Sequence, residues 1–175
     1  MDIHYDNVPF YSQFQDVPRI EWQGKACGIA SLAMAMEFYK PKSVSVTKLL
    51  LQALDFGAYQ INAGWKHQEL SALAELYGLS GKAYDFAKLD NRSAFNEFKT
   101  VLKDGPVIVS IHNKFNPKSG LGHLIVVTGI NDNAVFYHDP AGNGKEKAIS
   151  ASGFLSGWKQ RFIAVRERAQ AAETL

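Results

Sequence analysis

The sequence predicts an α+β domain in which helices come first and antiparallel strands second. Apolar residues recur at helical spacing from Cys27 to about Asp104, and from Pro106 onward the chain turns to β-branched and aromatic runs. Asn131-Asp132-Asn133 is a tight-turn signal between two of those runs, which makes them a hairpin. Segregated helices and strands argue against an alternating, doubly wound sheet.

Residues 1–24 hold Pro9, Pro18 and scattered aromatics without a helical period, and read as extended chain and loop. From Cys27, residues Ile29, Leu32, Ala33 and Met36 form one apolar helix face, and Lys40-Pro41 ends the helix. A second helix is expected from Val46 to Asp55 with Ser45 as its cap, followed by a loop from Gly57 to Gly64. Leu70, Leu73, Ala74 and Tyr77 mark a third, closed by Gly78, and Asn91 to Asp104 a fourth, stopped by Gly105-Pro106. Strands are expected at Pro106–His112, His123–Ile130, Ala134–His138 and Arg161–Val165. Ser152 to Trp158 reads as a short helix or turn, and Arg166 onward as a frayed polar tail.

At 175 residues, with no repeat, linker or low-complexity tract, the chain reads as one domain, 1–175. Its 19 basic and 17 acidic residues are unclustered, which gives no footprint for nucleic acid or an anionic membrane. No segment approaches the ~18 apolar residues of a membrane span. The first residues have neither a basic nor an apolar signal region, so the compartment is either cytoplasmic or one reached by a signal outside this sequence. A single cysteine excludes an internal disulfide and a multi-cysteine metal site, and no His-x₃-His spacing occurs, so neither metal nor cofactor is expected.

That cysteine, Cys27, stands in Ala26-Cys27-Gly28-Ile29-Ala30-Ser31 at the start of a helix, where unpaired N–H groups and the helix dipole favour a thiolate. It lies about 200° around the helix from Ile29, off the apolar stripe, and Gly24 and Gly28 leave room for a substrate backbone. His123 opens the apolar run Leu124-Ile125-Val126-Val127, where an imidazole needs polar partners. Counting back from the hairpin turn sets residue 123 opposite a position near 139 or 141, so Asp139 falls within cross-strand reach. A thiol, a His to exchange its proton and an Asp to orient the His make a nucleophilic catalytic set. The remaining histidines carry less: His4 and His67 read as surface residues, His112 ends a strand and His138 adjoins Asp139.

Val8-Pro9-Phe10-Tyr11-Ser12-Gln13, Ala26-Cys27-Gly28-Ile29-Ala30-Ser31-Leu32-Ala33-Met34, Gly122-His123-Leu124-Ile125-Val126-Val127 and His138-Asp139-Pro140 together resemble the bacteriocin-processing (double-glycine) peptidase-like branch of the papain-fold cysteine peptidases. The likeness spans roughly residues 8 to 165. It implies a papain-like fold with the N-terminal helices packed on a C-terminal antiparallel sheet, and a peptide or protein substrate. It also implies Cys27 as nucleophile, His123 as general base and acid, Asp139 as orienting group, and a Gln as side-chain donor to the oxyanion hole. Transporter-linked members carry that Gln six residues before the Cys, where this chain has Glu21. Gln13, in its Tyr-Ser-Gln context, is the preferred donor if Asp16 to Trp22 loops out; Gln23, four residues before Cys27, is the alternative.

Peptidases that trim double-glycine leaders precede a membrane span and an ATPase; this sequence holds neither, so the likeness leaves the substrate open. The expected activity is cleavage of a peptide or amide bond through a Cys acyl-enzyme. A cell-wall amidase or transamidase would use the same triad, and a non-catalytic binding domain would keep the fold without the reaction.

Overall fold

The computed structural model describes residues 1–170. The N-terminal stretch expected as loop contains a two-residue strand, β1 (Ile3–His4), and a four-residue helix, α1 (Ile20–Gln23), both too short to leave a periodicity. Helix α2 (Cys27–Tyr39) starts at the cysteine and ends at Lys40, before Pro41. Helix α3 (Val46–Asp55) has the expected bounds, with Ser45 Oγ accepting from the Lys48 N–H at 3.3 Å.

The expected loop at Gly57–Gly64 is a small hairpin of β2 (Tyr59–Gln60) and β3 (Gly64–Trp65). The third helix is α4 (His67–Ala72) continued by a 3₁₀ stretch, Leu73–Tyr77. Gly78 closes it at φ +73°, a left-handed conformation without strain for glycine. Strand β4 (Leu79–Asp85) follows, and α5 (Asn91–Leu102) is capped by Asp90, whose Oδ1 accepts from the Ser93 N–H at 3.0 Å. Then come β5 (Val107–His112), β6 (Gly122–Ile130), β7 (Ala134–His138), β8 (Lys147–Ser150), α6 (Ala151–Gly157) and β9 (Trp158–Glu167).

The strands other than β2 and β3 make one antiparallel sheet in the order β4-β9-β5-β6-β7-β8, with β1 pairing the end of β6 beyond β5. The order of helices then strands has one main exception, β4, which precedes α5 and forms a sheet edge. Its Leu-Ser-Gly-Lys-Ala-Tyr-Asp has little intrinsic strand character; continuous pairing with β9, from Leu79↔Glu167 to Asp85↔Arg161, makes it a strand. The final strand therefore runs well past Val165. Arg166, expected to begin a frayed tail, donates from its guanidinium to the carbonyls of Val101, Gly105 and Pro106 and closes the C-terminal end of α5. The tail expectation for residues 171–175 lies outside the described residues.

Alternation along the strands divides the core. Ile108, Leu124, Val126, Ile163 and Val165 pack with α2, α3 and α4 on one face of the sheet. Val107, Val109, Ile125, Val127 and Phe162 pack with α5 and α6 on the other. Helix α2 packs on the sheet and against α3 and α4, so Gly28 through Glu37 are all buried and the expected one-sided apolar stripe is not what distinguishes Cys27. Its place in the first turn is. Among the described residues no helix is long and apolar enough to cross a membrane.

Candidate active site

Cys27 opens α2 behind Ala26, which offers no side-chain acceptor to the first-turn N–H groups, so the helix dipole ends at the sulfur's own turn. Gly28 is required by close packing: a Cβ there would come within 2.6 Å of the Trp65 indole. Trp65 Nε1 donates to the Lys25 carbonyl at 2.7 Å, and Tyr59 and Trp22 pack edge-on or tilted against the ring. This aromatic floor fixes the approach to Cys27. The half-buried cysteine and His123 both line a cleft of about 560 Å³.

His123 lies near the start of β6 and Asp139 immediately after β7. His123 Nε2 donates to Asp139 Oδ1 at 2.7 Å, which leaves Nδ1 for the Cys27 side. Asp139 Oδ1 also accepts from the Ala141 N–H at 2.9 Å, and Lys147 Nζ on β8 donates to Oδ2 at 3.3 Å. Burial by itself would pull the His123 imidazole down. The hydrogen bonds to Asp139 and Cys27, and the charges of both, outweigh it and hold the group up at about 9. Burial pushes the Asp139 carboxyl up, but the bond to His123 and its charge bring it down to about 2. The pair is therefore an imidazolium–carboxylate pair across the neutral range.

Of the candidate oxyanion donors, Gln13 is buried, its N–H donating to the Pro140 carbonyl at 2.9 Å beside Asp139. Its Nε2 donates to the Gln23 carbonyl at 2.8 Å, while Oε1 is buried without a partner. Gln23 Nε2 donates to the Val17 carbonyl at 2.9 Å. The two glutamines thus touch each other, and neither lines the cleft. Glu21 is exposed and paired with Arg19 at 2.9 Å.

Several residues without a sequence signal complete the cleft. His67 is half-buried in its wall, not a free surface residue as expected, because the N-terminus of α4 abuts the sheet. Burial, then the charges of Arg161 and Lys159, hold its imidazole below the usual range against a smaller opposing effect of Asp85. Lys159 and Arg161 come from β9. Ser110 pairs with Arg161 whereas Ile111 pairs with Trp158, so Lys159 and Gln160 bulge out of the ladder, with Gln160 at φ +56°. Lys159 Nζ consequently reaches within 3.3 Å of where a Cβ on Gly122 would stand. No three His, Cys, Asp or Glu among the described residues are grouped to hold a metal ion.

The profile described as Peptidase_C39 like family matches residues 5–162. No curated protein sequence matches. Among solved structures, a protein described as a C39-like peptidase from Bacillus anthracis is similar at TM-score 0.69 and 18% identity, over 97% of this chain and all of that one. A double glycine motif protease from an AMS/PCAT transporter, solved with its leader peptide, gives 0.63 and 20%, over 95% of this chain and 98% of that one. The peptidase domain of Streptococcus ComA, a bifunctional ABC transporter of a quorum sensing pathway, gives 0.64 and 17%, over 93% of this chain and all of that one. At these identities the likeness carries the α+β, papain-like fold.

Proposed function

Because the chain belongs to the Peptidase C39-like family, we propose that it is a thiol hydrolase that cleaves a peptide or amide bond through an acyl-enzyme on Cys27. The observation that supports this reading is that Cys27 and His123 line one cleft and that His123 Nε2 donates to Asp139 Oδ1 at 2.7 Å.

The Cys27 thiolate attacks the scissile carbonyl carbon, and the carbonyl electrons move onto oxygen. As the tetrahedral intermediate collapses, the C–N bond breaks and the His123 imidazolium gives its Nδ1 proton to the leaving amine. Water then attacks the thioester, His123 takes its proton, the C–S bond breaks, and the acid product leaves with the thiolate restored. Asp139 holds the ring by Nε2 throughout. The oxyanion requires two N–H donors: the Cys27 backbone supplies one, and the second Nε2 hydrogen of Gln13, not engaged by the Gln23 carbonyl, is the preferred other. Gln23 is the alternative. An amidase or transamidase would share every step but the acyl acceptor or leaving group.

Incubation with an amidated peptide library, followed by mass spectrometry, tests the reading. Wild type yields cleaved products and a Cys27-linked acyl species, and Cys27→Ala yields neither. Iodoacetamide labelling of Cys27 at neutral pH supports the same reading. No cleavage of peptides or peptidoglycan fragments, with Cys27 inert at neutral pH, leaves a non-catalytic binding domain as the reading.

A further inference from the structure

The chain as a whole carries nearly equal numbers of acidic and basic residues, yet the cleft does not. Lys25, Lys159 and Arg161 line it, and among the described residues no Asp or Glu does. Lys25 is engaged with the Trp22 ring at 5.5 Å, and Arg161 Nε shares its charge with Asp85 Oδ2 at 3.0 Å. Lys159 has no ion pair or side-chain hydrogen bond among the described residues; it is held at the cleft by the β9 bulge, against Gly122, in the lining that also includes His123. A bulge beside an active site commonly serves to re-aim a side chain. His67 stands in the same wall, where burial and then the charges of Arg161 and Lys159 hold its imidazole below the usual range. Tyr59 and Trp65 provide the apolar floor, which strengthens any charge pairing formed above it.

We propose that the cleft selects substrates that carry a carboxylate, with Lys159 as its principal partner and Arg161 as the second. The proposal rests on reading this cleft as the peptide-binding active site. A carboxylate seated there receives a charge-assisted hydrogen bond from Lys159 Nζ and competes with Asp85 for Arg161. An Asp or Glu side chain and a C-terminal α-carboxylate offer the same chemistry.

Capture of pooled decapeptides on immobilised Cys27→Ala protein, read by mass spectrometry, tests selection without requiring turnover. Asp and Glu are expected to be enriched several-fold over Gln, and Lys and Arg depleted, in a library with amidated C-termini. Lys159→Gln in the Cys27→Ala background lowers the enrichment at least threefold at unchanged Tm, and Asp85→Asn, which releases Arg161, raises it. A parallel library with free C-termini separates the sources: Lys159-dependent capture confined to that library assigns the terminal carboxylate, and enrichment at internal positions assigns the side chain. No capture of either library, capture indifferent to carboxylates, or a preference equal in all three proteins overturns the proposal. Carboxylate selection by a protein that never cleaves a peptide would instead remove the catalytic reading alone.

Discussion

His123 reaches Asp139 along a diagonal of the sheet. The β6–β7 ladder ends at Val126↔His138, and continuing its register sets Asp139 opposite Ile125 and His123 opposite residue 141. The 2.7 Å contact is made across that offset, which two side chains of this length span. Two further partners, the Ala141 N–H and Lys147, hold the carboxylate in place.

On the proposed reading Asp139 orients His123 without exchanging the proton, so Asp139→Asn should cost less activity than His123→Ala. The amide oxygen still accepts from Nε2, so the smaller loss of the two is expected for Asn. His123→Ala should lose about 10²–10⁴-fold, the range of general acid–base catalysis. Steady-state kinetics on one peptide substrate decides it, and equal losses would contradict the orienting role.

The same pair sets a pH window for stability. His123 is raised from 6.5 to about 9 in the fold, so its contribution is full below about 6.5 and lost as pH rises through about 9. Asp139 is lowered from 3.8 to about 2, so its contribution is full above about 3.8 and lost as pH falls through about 2. Wild type should therefore exceed Asp139→Asn in Tm by the largest margin between about pH 4 and 6.5, with the margin closing toward pH 10. Thermal melts of both proteins across that range measure it; a margin that grows with alkali would refute the assignment.

Gln13→Ala should lower kcat by about 10²–10³-fold while iodoacetamide labelling of Cys27 continues, because alkylation forms no oxyanion. Gln23→Ala should be milder, since its side chain serves the Val17 carbonyl and only its backbone carbonyl meets Gln13. The reverse ranking would move the donor role to Gln23, and negligible effects from both would favour a binding domain.

Gly28→Ala should destabilise the fold by about 1–3 kcal/mol, the usual cost of overpacking, since its Cβ would enter the Trp65 ring at 2.6 Å. In a domain of this size that lowers Tm by about 2–4 °C per kcal/mol. The double variant Gly28→Ala, Trp65→Leu should recover part of the loss if the clash is the cause, as paired melts will show.

Local signals explain what the sequence disclosed. The cysteine-led helix ends before Pro41, α3 is bounded by its own cap, and Asn131-Asp132-Asn133 closes the β6–β7 hairpin; each is encoded within a few residues. Cys27, His123 and Asp139 stood out as candidates because thiol, imidazole and carboxylate sat beside glycines, apolar runs and that turn. Two possible registers remained because Thr128 stands unpaired between Val127↔Tyr137 and Gly129↔Phe136, an offset no turn residue announces. β4 and β8 depend on partners distant in sequence or on weak patterns. Lys159, Arg161, His67 and Trp65 meet only because a bulge, a helix start and a hairpin converge, so their grouping was invisible beforehand.

Helix α2 is buried from Gly28 to Glu37, and Cys27 at its start is exposed to the cleft. The sulfur is thereby anchored to a buried helix, while the residues facing it come from the β2–β3 hairpin, the segment before β6 and the β9 bulge. Reactivity and recognition are consequently built into separate pieces of chain. On the proposed reading, exchanging side chains in the hairpin or the bulge would redirect which molecules are accepted and leave Cys27 where it is, whereas a change inside α2 disturbs the buried face it packs against the sheet.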